Sequence, residues 1–487
     1  MVIGGGTAGL NIANNLQDYF NVIVVEKSKH KKYPLIFKIP LLIGLLFRSS
    51  DMKYIHRREL VLQNGRRIPF FESNVLGGAS VINGCVHVIG SQKIWNVILE
   101  RFNSSYEALM ESYDSLYTKR KMESNKINLM LAPQNIIDHA FLKALNFHGV
   151  LIGDTNFSNK ENCGQIYNTT KKLFRTSILS LLHKKDFKLL MGKSVKRIVF
   201  DENYSVTAVE TTEGIIKTDY VVLSAGVIGT CSLLLSEKNN KTSNYMSNLD
   251  IGDQVKDHTN IRVNVKTKKE IGSLNEIEKS FFKKLVILIK HCLGIPTVMV
   301  GTGATSCAHL DLNGDGEVDT RIQVVQFIET GRHGSDGKYF SDEPGFSLSI
   351  TLINPASKGS IWLNGEKLIV DPKYLSNKLD IDLLKLSLTY CLKLLRSHPF
   401  NTLVKEILDE DLIESNPEKY ICENIFSGHH LIGGAQNVVD SDFKVKGLNG
   451  LYVCDASIFN EYAASNIHSS VILISDIFSK KLMLNRY

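Results

Sequence analysis

The chain has no apolar run long enough to cross a bilayer, no paired-cysteine spacing and no strong excess of either charge. Two stretches invite the membrane test. "IPLLIGLLF" (39–47) is too short, and "LVILIKHCLGIPTVMV" (285–300) is interrupted by Lys290, His291, Gly294 and Pro296; a spanning helix needs about 20 apolar residues. The eight cysteines (85, 163, 231, 292, 307, 391, 422 and 454) contain no C-x-x-C. That excludes a disulfide framework and points to thiols of a reducing compartment. No secretory signal precedes the first glycines, so the expected location is cytoplasmic. The net charge of +7 is dispersed over Lys-rich stretches such as "KSKHKK" and "KNNKTSN", which argues against a nucleic-acid face. With 43% apolar and 22% charged residues in 487, the chain reads as an ordinary globular protein of two lobes.

Glycine is present where it carries information. "MVIGGGTAGL" places Gly4, Gly6 and Gly9 in a G-x-G-x-x-G spacing. The following "AGLNIANNLQDYF" has helical periodicity and predicts a helix starting at the third glycine. "NVIVVEKS" is then a β-branched strand ending in Glu26. Glu26 lies 22 residues after Gly4 (26 − 4), about the interval at which an acidic residue reaches ribose hydroxyls in a βαβ dinucleotide site. Gly4 permits the tight turn, and Gly6 lets backbone N–H groups approach a pyrophosphate. Gly9 lets the helix close on the strand, so that its positive end faces the phosphates. Only Met1, Val2 and Ile3 precede the loop. Such a short first strand suggests a shortened N-terminus and weakened cofactor retention.

Further strand–turn–helix units recur at a distance, in "DYVVLSAGVIGTCSLLLSEK" (219–238) and in "NGLYVCDASIFN" (449–460) followed by "SSVILISDIFSKKL". A dinucleotide fold whose strands return from distant parts of the chain suits an FAD enzyme with an inserted substrate lobe. On these segments the chain resembles the glucose–methanol–choline (GMC) family of FAD-dependent alcohol oxidoreductases. "LGGASVING" (76–84) is similar to the family's G-G-S-S-x-I-N-G signature, and "LSAGVIGTCSLLLSE" to its second signature. "IGDQVKDHTNI" (251–261) matches N-L-x-D-H through Asp257 and His258, and "KGSIWLNGEKLIVDPKYLSNKLD" (358–380) resembles a further family segment.

The resemblance implies a two-lobed α/β flavoprotein. A Rossmann-like FAD lobe from residues 1–95, 185–258 and 425–487 is interleaved with a substrate lobe and lid from 96–184 and 259–424, built on an antiparallel sheet. "GFSLSITLINP", "GSIWL" and "RIQVVQFI" are expected in that sheet by alternation, and the helix "DIDLLKLSLTYCLKLLRS" is expected to pack toward the cofactor. The implied cofactor contacts are Gly4, Gly6, Thr7, Ala8, Gly9, Glu26, Gly78, Ser80, Asn83, Gly84, Val195, Ala225, Gly226, Asp455, Ala456, Asn466 and Ile467. Ile82 stands where some family members carry a histidine bonded to the flavin, which implies non-covalent FAD.

"FSGHHLIGGAQNVVDSDFKVKGLNGLYVCDASIFNEYAASNIHSSV" resembles the family's catalytic C-terminus. The match puts His430 and Asn466 on its catalytic pair, with His429 the neighbouring competitor and His468 expected to point elsewhere. Alcohol oxidation removes a hydroxyl proton while the α-hydrogen leaves as a hydride to flavin N5. An imidazole near neutrality suits the base, and an amide holds the same oxygen. Gly434 and the missing methionine in "HLIGGAQN" depart from the family's H-x-x-G-T-x-x-M, so the alcohol itself is left open. No motif fixes the electron acceptor, whether oxygen, a quinone or a redox protein. A lyase or photoenzyme on the same scaffold, or a silent FAD-binding protein, are the rival readings. "DLNGDGEVD" (311–319) imitates a calcium loop, but its twelfth position is Ile322, which cannot supply a carboxylate; a solvated turn is expected, and no metal. His291 and His309 are expected at the surface or in packing.

Overall fold

The computed structural model describes all residues except 45–52, 63, 120–124, 172, 183–185, 239–245, 247, 330–340 and 485–487. The end of "IPLLIGLLF", most of "KNNKTSN" and the expected lobe boundary at 184/185 lie outside the described residues.

The glycine loop sits at the centre of a five-stranded parallel sheet, ordered Lys188–Met191, Ile23–Glu26, Val2–Ile3, Val221–Leu223 and Leu451–Val453. Val2 is in register with Val24 on one side and Val222 on the other, and all three are buried. β-branched residues fill these strands because helices cover both faces of such a sheet. Helix Thr7–Leu16 follows the loop with Gly6 as its N-cap, two residues ahead of the expected start at Gly9. Its Asn11 donates to Ile472 O (3.3 Å) and Ser475 Oγ (3.0 Å), docking it on helix Ile467–Leu484.

The second large sheet is antiparallel, ordered Val404–Ile407, Thr259–Thr267, Gly345–Leu352, Thr320–Val325, Ala304–Leu310 and Asn162–Gln165. Phe426–Ser427 adds to the start of Thr259–Thr267, with Thr259 opposite Ser427. "GFSLSITLINP" and "RIQVVQFI" therefore take the expected place. "GSIWL" does not: Gly359–Asn364 pairs with Asp253–Val255 and Lys367–Asp371 in a separate three-stranded sheet. Helix Lys378–Arg396 also departs from expectation. It packs on the face of the antiparallel sheet carrying Thr320, whose hydroxyl meets Ser387 Oγ at 3.2 Å. Arg321 and Gln323, pointing the other way by strand alternation, line a cavity on the opposite face.

Among the described residues no helix is long and apolar enough to cross a membrane. The interrupted stretch 285–300 contributes to helix Phe281–Cys292, with Phe281, Phe282, Leu285 and Leu288 exposed. In "DLNGDGEVD" the carboxylates cap the loop's own backbone. Asp311 accepts from Gly314, Asp315 and Gly316 N, and Asp319 from Leu312 and Asn313 N. His309 is buried against Asn162 (3.0 Å) and His291 is buried beside the Phe174 ring, so both are packing residues.

Candidate active site

A cavity of about 830 Å³ opens between the C-terminal ends of the parallel strands and the inner face of the antiparallel sheet. Crevices at such strand ends are where open α/β sheets bind ligands. Gly4, Gly6, Thr7, Ala8, Glu26, Gly78, Asn83, Gly84, Val195, Ala225, Gly226, Asp455, Ala456, Asn466 and Ile467 all line it, as do Ile82 and His430.

The residues fit a dinucleotide. Helix Thr7–Leu16 has no side-chain cap and no acidic residue in its first turn, so its N–H groups and positive end are open to a phosphate. Gly4 has φ 111°, and a Cβ there would stand 2.4 Å from Ser224 O. A Cβ at Gly78 would stand 2.8 Å from Gly6 Cα, so the two loops approach each other where only glycine fits. Glu26 accepts from Gly5 N and Ser28 N, both at 2.7 Å, which fixes its carboxylate at the strand end while each oxygen keeps a lone pair for a hydroxyl. Asp455 ties two strand ends together, accepting from Gly226 N (2.9 Å) and Ser457 N (2.8 Å).

Three expectations change in the folded chain. Gly9, expected among the cofactor contacts, is not on the cavity wall, while a Cβ there would lie 2.0 Å from Gly4 O, in keeping with its expected part in letting the helix close. Ser80 is not on the wall either. Its hydroxyl donates to Gly77 O (2.7 Å) and accepts from Ile178 N (3.3 Å), which holds the signature turn together. His468, expected to point elsewhere, lines the same cavity. Burial, with Arg175 nearby, pulls its pKa down to about 4.

Two strands of the antiparallel sheet bring the candidate residues together beside the cavity. Asp257–His258 lead into Thr259–Thr267 while Gly428–His430 leave Phe426–Ser427. The pairing of Thr259 with Ser427 therefore sets both histidines side by side. His258 Nδ1 and His430 Nδ1 are 2.9 Å apart, and His258 Nε2 is 2.8 Å from Ile353 O. Burial, with His430 beside it, drives His258 well below the ordinary imidazole pKa, so it is neutral. A carbonyl can only accept, so the single proton of His258 sits on Nε2 and its Nδ1 accepts. His430 must then donate from Nδ1, which leaves a lone pair on its Nε2. Enclosure, with Arg321 next, pulls His430 down to about 3, keeping that lone pair free of a proton.

The same nitrogen stands 3.5 Å from Asn466 Nδ2. The amide's orientation is set by the Arg321 guanidinium, which donates to Asn466 Oδ1. Below the pair, Asp257 accepts from His430 N (2.7 Å) and from the Tyr374 and Ser427 hydroxyls; burial raises it to about 6. Tyr462 donates to His430 O (2.8 Å) and lies on the His258 ring, with centroids 3.8 Å apart. His429, at φ 58°, turns instead toward Phe70 and Phe71. Sequence reasoning had matched Asp257 and His258 to a motif without giving them a part in the site. It missed Arg321, whose only signal was its place in the alternating "RIQVV".

A dinucleotide cradle facing a neutral imidazole and an amide defines a cofactor-dependent oxidoreductase. Residues 1–260 and 355–475 match the N- and C-terminal family models of the GMC oxidoreductases, and the chain belongs to that family. It is an FAD-dependent oxidoreductase acting on CH–OH donors. Among curated proteins it is similar to an oxygen-dependent choline dehydrogenase of Vibrio vulnificus, at 24% identity over 98% of this chain and 92% of that one. It is also similar to a choline oxidase of Arthrobacter globiformis, at 22% identity over 98% and 92%. In fold it is similar to a formate oxidase of Aspergillus oryzae, with a TM-score of 0.86 at 18% identity over 99% of this chain and 98% of that one.

Proposed function

We propose that the chain oxidises an alcohol, with His430 Nε2 taking the hydroxyl proton as the α-hydrogen leaves as a hydride. When bound, FAD supplies the hydride acceptor. The observation that carries this reading is the fixed tautomer: Ile353 O orients His258, His258 orients His430, and the basic nitrogen faces Asn466 at the cavity wall. An alcohol oxygen beside both accepts from Asn466 Nδ2 and donates to His430 Nε2. The amide thereby holds the hydroxyl and stabilises the charge that grows on it. The incoming proton leaves His430 a cation that still donates to His258, over the buried Asp257 carboxyl.

Gly4, Gly6, Thr7, Ala8, Glu26, Gly78, Asn83, Gly84, Val195, Ala225, Gly226, Asp455, Ala456 and Ile467 are the residues we assign to FAD, together with Asn466, and Ile82 leaves the cofactor dissociable. We place the FAD lobe in residues 1–95, 185–258 and 425–487 and the substrate lobe in 96–184 and 259–424. Membership of all five parallel strands in the first set supports that division. Anaerobic addition of alcohols to the purified holoenzyme, followed by flavin bleaching, tests the reading. His430→Ala should retain FAD and slow bleaching by roughly 10²–10⁴-fold, the range for a positioned general base. Wild-type rates in that variant overturn it.

A further inference from the structure

Above His430 and Asn466 the cavity roof is the face of the antiparallel sheet carrying Asn260, Arg262, Arg321, Gln323, Ser349 and Thr351. The face is mostly polar, with Val325 the apolar residue beyond Gln323, although the strands that carry it are largely buried. Arg321 is 5% exposed. Its Nη1 donates to Asn466 Oδ1, its Nε has no partner, and among the described residues no carboxylate pairs with it. Gln323 Oε1 beside it is also buried without a partner. The other roof cation, Arg262, is matched by Glu329.

Among the described residues nothing nearby neutralises Arg321. Burial pushes the Cys307 thiol up to about 11, so it is uncharged, and the neighbouring His258, His309 and His430 are neutral imidazoles. Among the described residues the four acids lining the cavity are all engaged elsewhere. Glu26 holds Gly5 and Ser28 N, Asp455 holds Gly226 N, Glu72 pairs with Arg58, and Glu278 with Lys284. An enclosed guanidinium without a counter-charge is costly to keep, and its fork is suited to a carboxylate.

We infer that Arg321 is the substrate's anion anchor and that the alcohol is a small hydroxy acid, its carboxylate on Arg321 and its hydroxyl between His430 and Asn466. This rests on the alcohol-oxidation reading of the same site. Arg321 bonds the very amide that receives the hydroxyl, so the carboxylate is attached at the reacting carbon or one carbon away. In the reaction R–CH(OH)–COO⁻ loses its hydroxyl proton to His430 Nε2 and its α-hydrogen, with the bonding electron pair, to bound FAD. The C–O single bond becomes a carbonyl, a 2-oxo acid leaves (a 3-oxo acid where the carboxylate is one carbon away), and the cofactor is reduced by two electrons. A quaternary-ammonium alcohol would instead bring its charge against the guanidinium.

The test compares anaerobic bleaching of the holoenzyme by lactate, glycolate and 3-hydroxybutyrate with bleaching by 1,2-propanediol and choline. A parallel titration follows flavin absorption with the unreactive carboxylate propionate and with propionamide. The hydroxy acids should act at concentrations on the order of 10²-fold lower than the diol, the scale of a charge-assisted hydrogen bond. Propionate should bind and propionamide should not. Arg321→Met should abolish both preferences; if it does not fold, the propionate–propionamide comparison on the wild-type protein decides alone. Diol and hydroxy acid acting equally, or propionate binding unaffected by Arg321→Met, overturns the inference and leaves alcohol oxidation standing. Propionate binding that depends on Arg321 while no alcohol of any class bleaches the flavin supports the anion anchor and refutes the oxidation reading instead.

Discussion

Replacing His258 by phenylalanine separates a group that orients the base from one that only fills space. The phenyl ring keeps the stack on Tyr462, whose centroid lies 3.8 Å from that of His258, but removes the acceptor that His430 Nδ1 uses at 2.9 Å. In the productive tautomer the His430 Nδ1–H is then enclosed without a partner, at a cost of about 1–3 kcal/mol. Charged against that tautomer, this corresponds to a loss of roughly 5–150-fold in rate. Single-turnover anaerobic bleaching at saturating alcohol should therefore slow by that factor, with FAD content unchanged. Because His258 acts through His430, adding His258→Phe to His430→Ala should slow bleaching by less than about 2-fold further, a non-additivity expected of residues in one hydrogen-bonded chain. Equal cost in both backgrounds refutes the coupling and makes His258 a packing residue.

Glu26→Gln should keep the fold and weaken FAD retention by about 1–3 kcal/mol, since an amide replaces a carboxylate that accepts from Gly5 N and Ser28 N; equilibrium dialysis of the cofactor checks it, and unchanged retention assigns the ribose elsewhere. Acid precipitation should release all FAD, because Ile82 offers no nucleophile to the flavin; yellow pellets contradict this. Stability should fall between pH 6.5 and 4. His87, His309 and His430 are held down to about 3 and His468 to about 4, chiefly by burial, whereas the unfolded imidazoles take up protons from about 6.5 downward. The unfolded chain thus binds more protons as pH drops, and each such histidine removes on the order of 1.4 kcal/mol by pH 5.5. Asp257 and Asp319, both raised to about 6 chiefly by burial, work in the opposite direction below pH 6, as do the buried Asp138, Glu237 and Asp455, but at pH 5.5 the histidines outweigh them. A melting temperature that is higher at pH 5.5 than at 7.5 refutes this balance.

The local elements were legible because each obeys a short-range rule. The turn at Gly4 to Gly9 requires residues without a Cβ, the strand ending in Glu26 requires β-branched residues buried on both faces, and these signals survive in ten or twenty residues of chain. Errors arose where neighbours in space decide. The "GSIWL" strand alternates as a strand of the large sheet would, yet it pairs with Asp253–Val255, and no periodicity records a partner a hundred residues away. The amphipathic helix Lys378–Arg396 shows an apolar face but not which side of the sheet receives it. His468 and Ser80 changed places for the same reason: a side chain's surroundings belong to the packed chain, not to its motif.

By itself the sequence determined the kind of cofactor and offered His430 and Asn466 as candidates, since glycines at fixed spacing and a histidine in a matching stretch are local facts. Tertiary structure alone decided that His258 and His430, 172 positions apart, share a hydrogen bond, because the pairing of Thr259 with Ser427 joins their strands. It alone decided that Arg321 meets Asn466, because strand alternation turns that guanidinium inward, where among the described residues no carboxylate pairs with it.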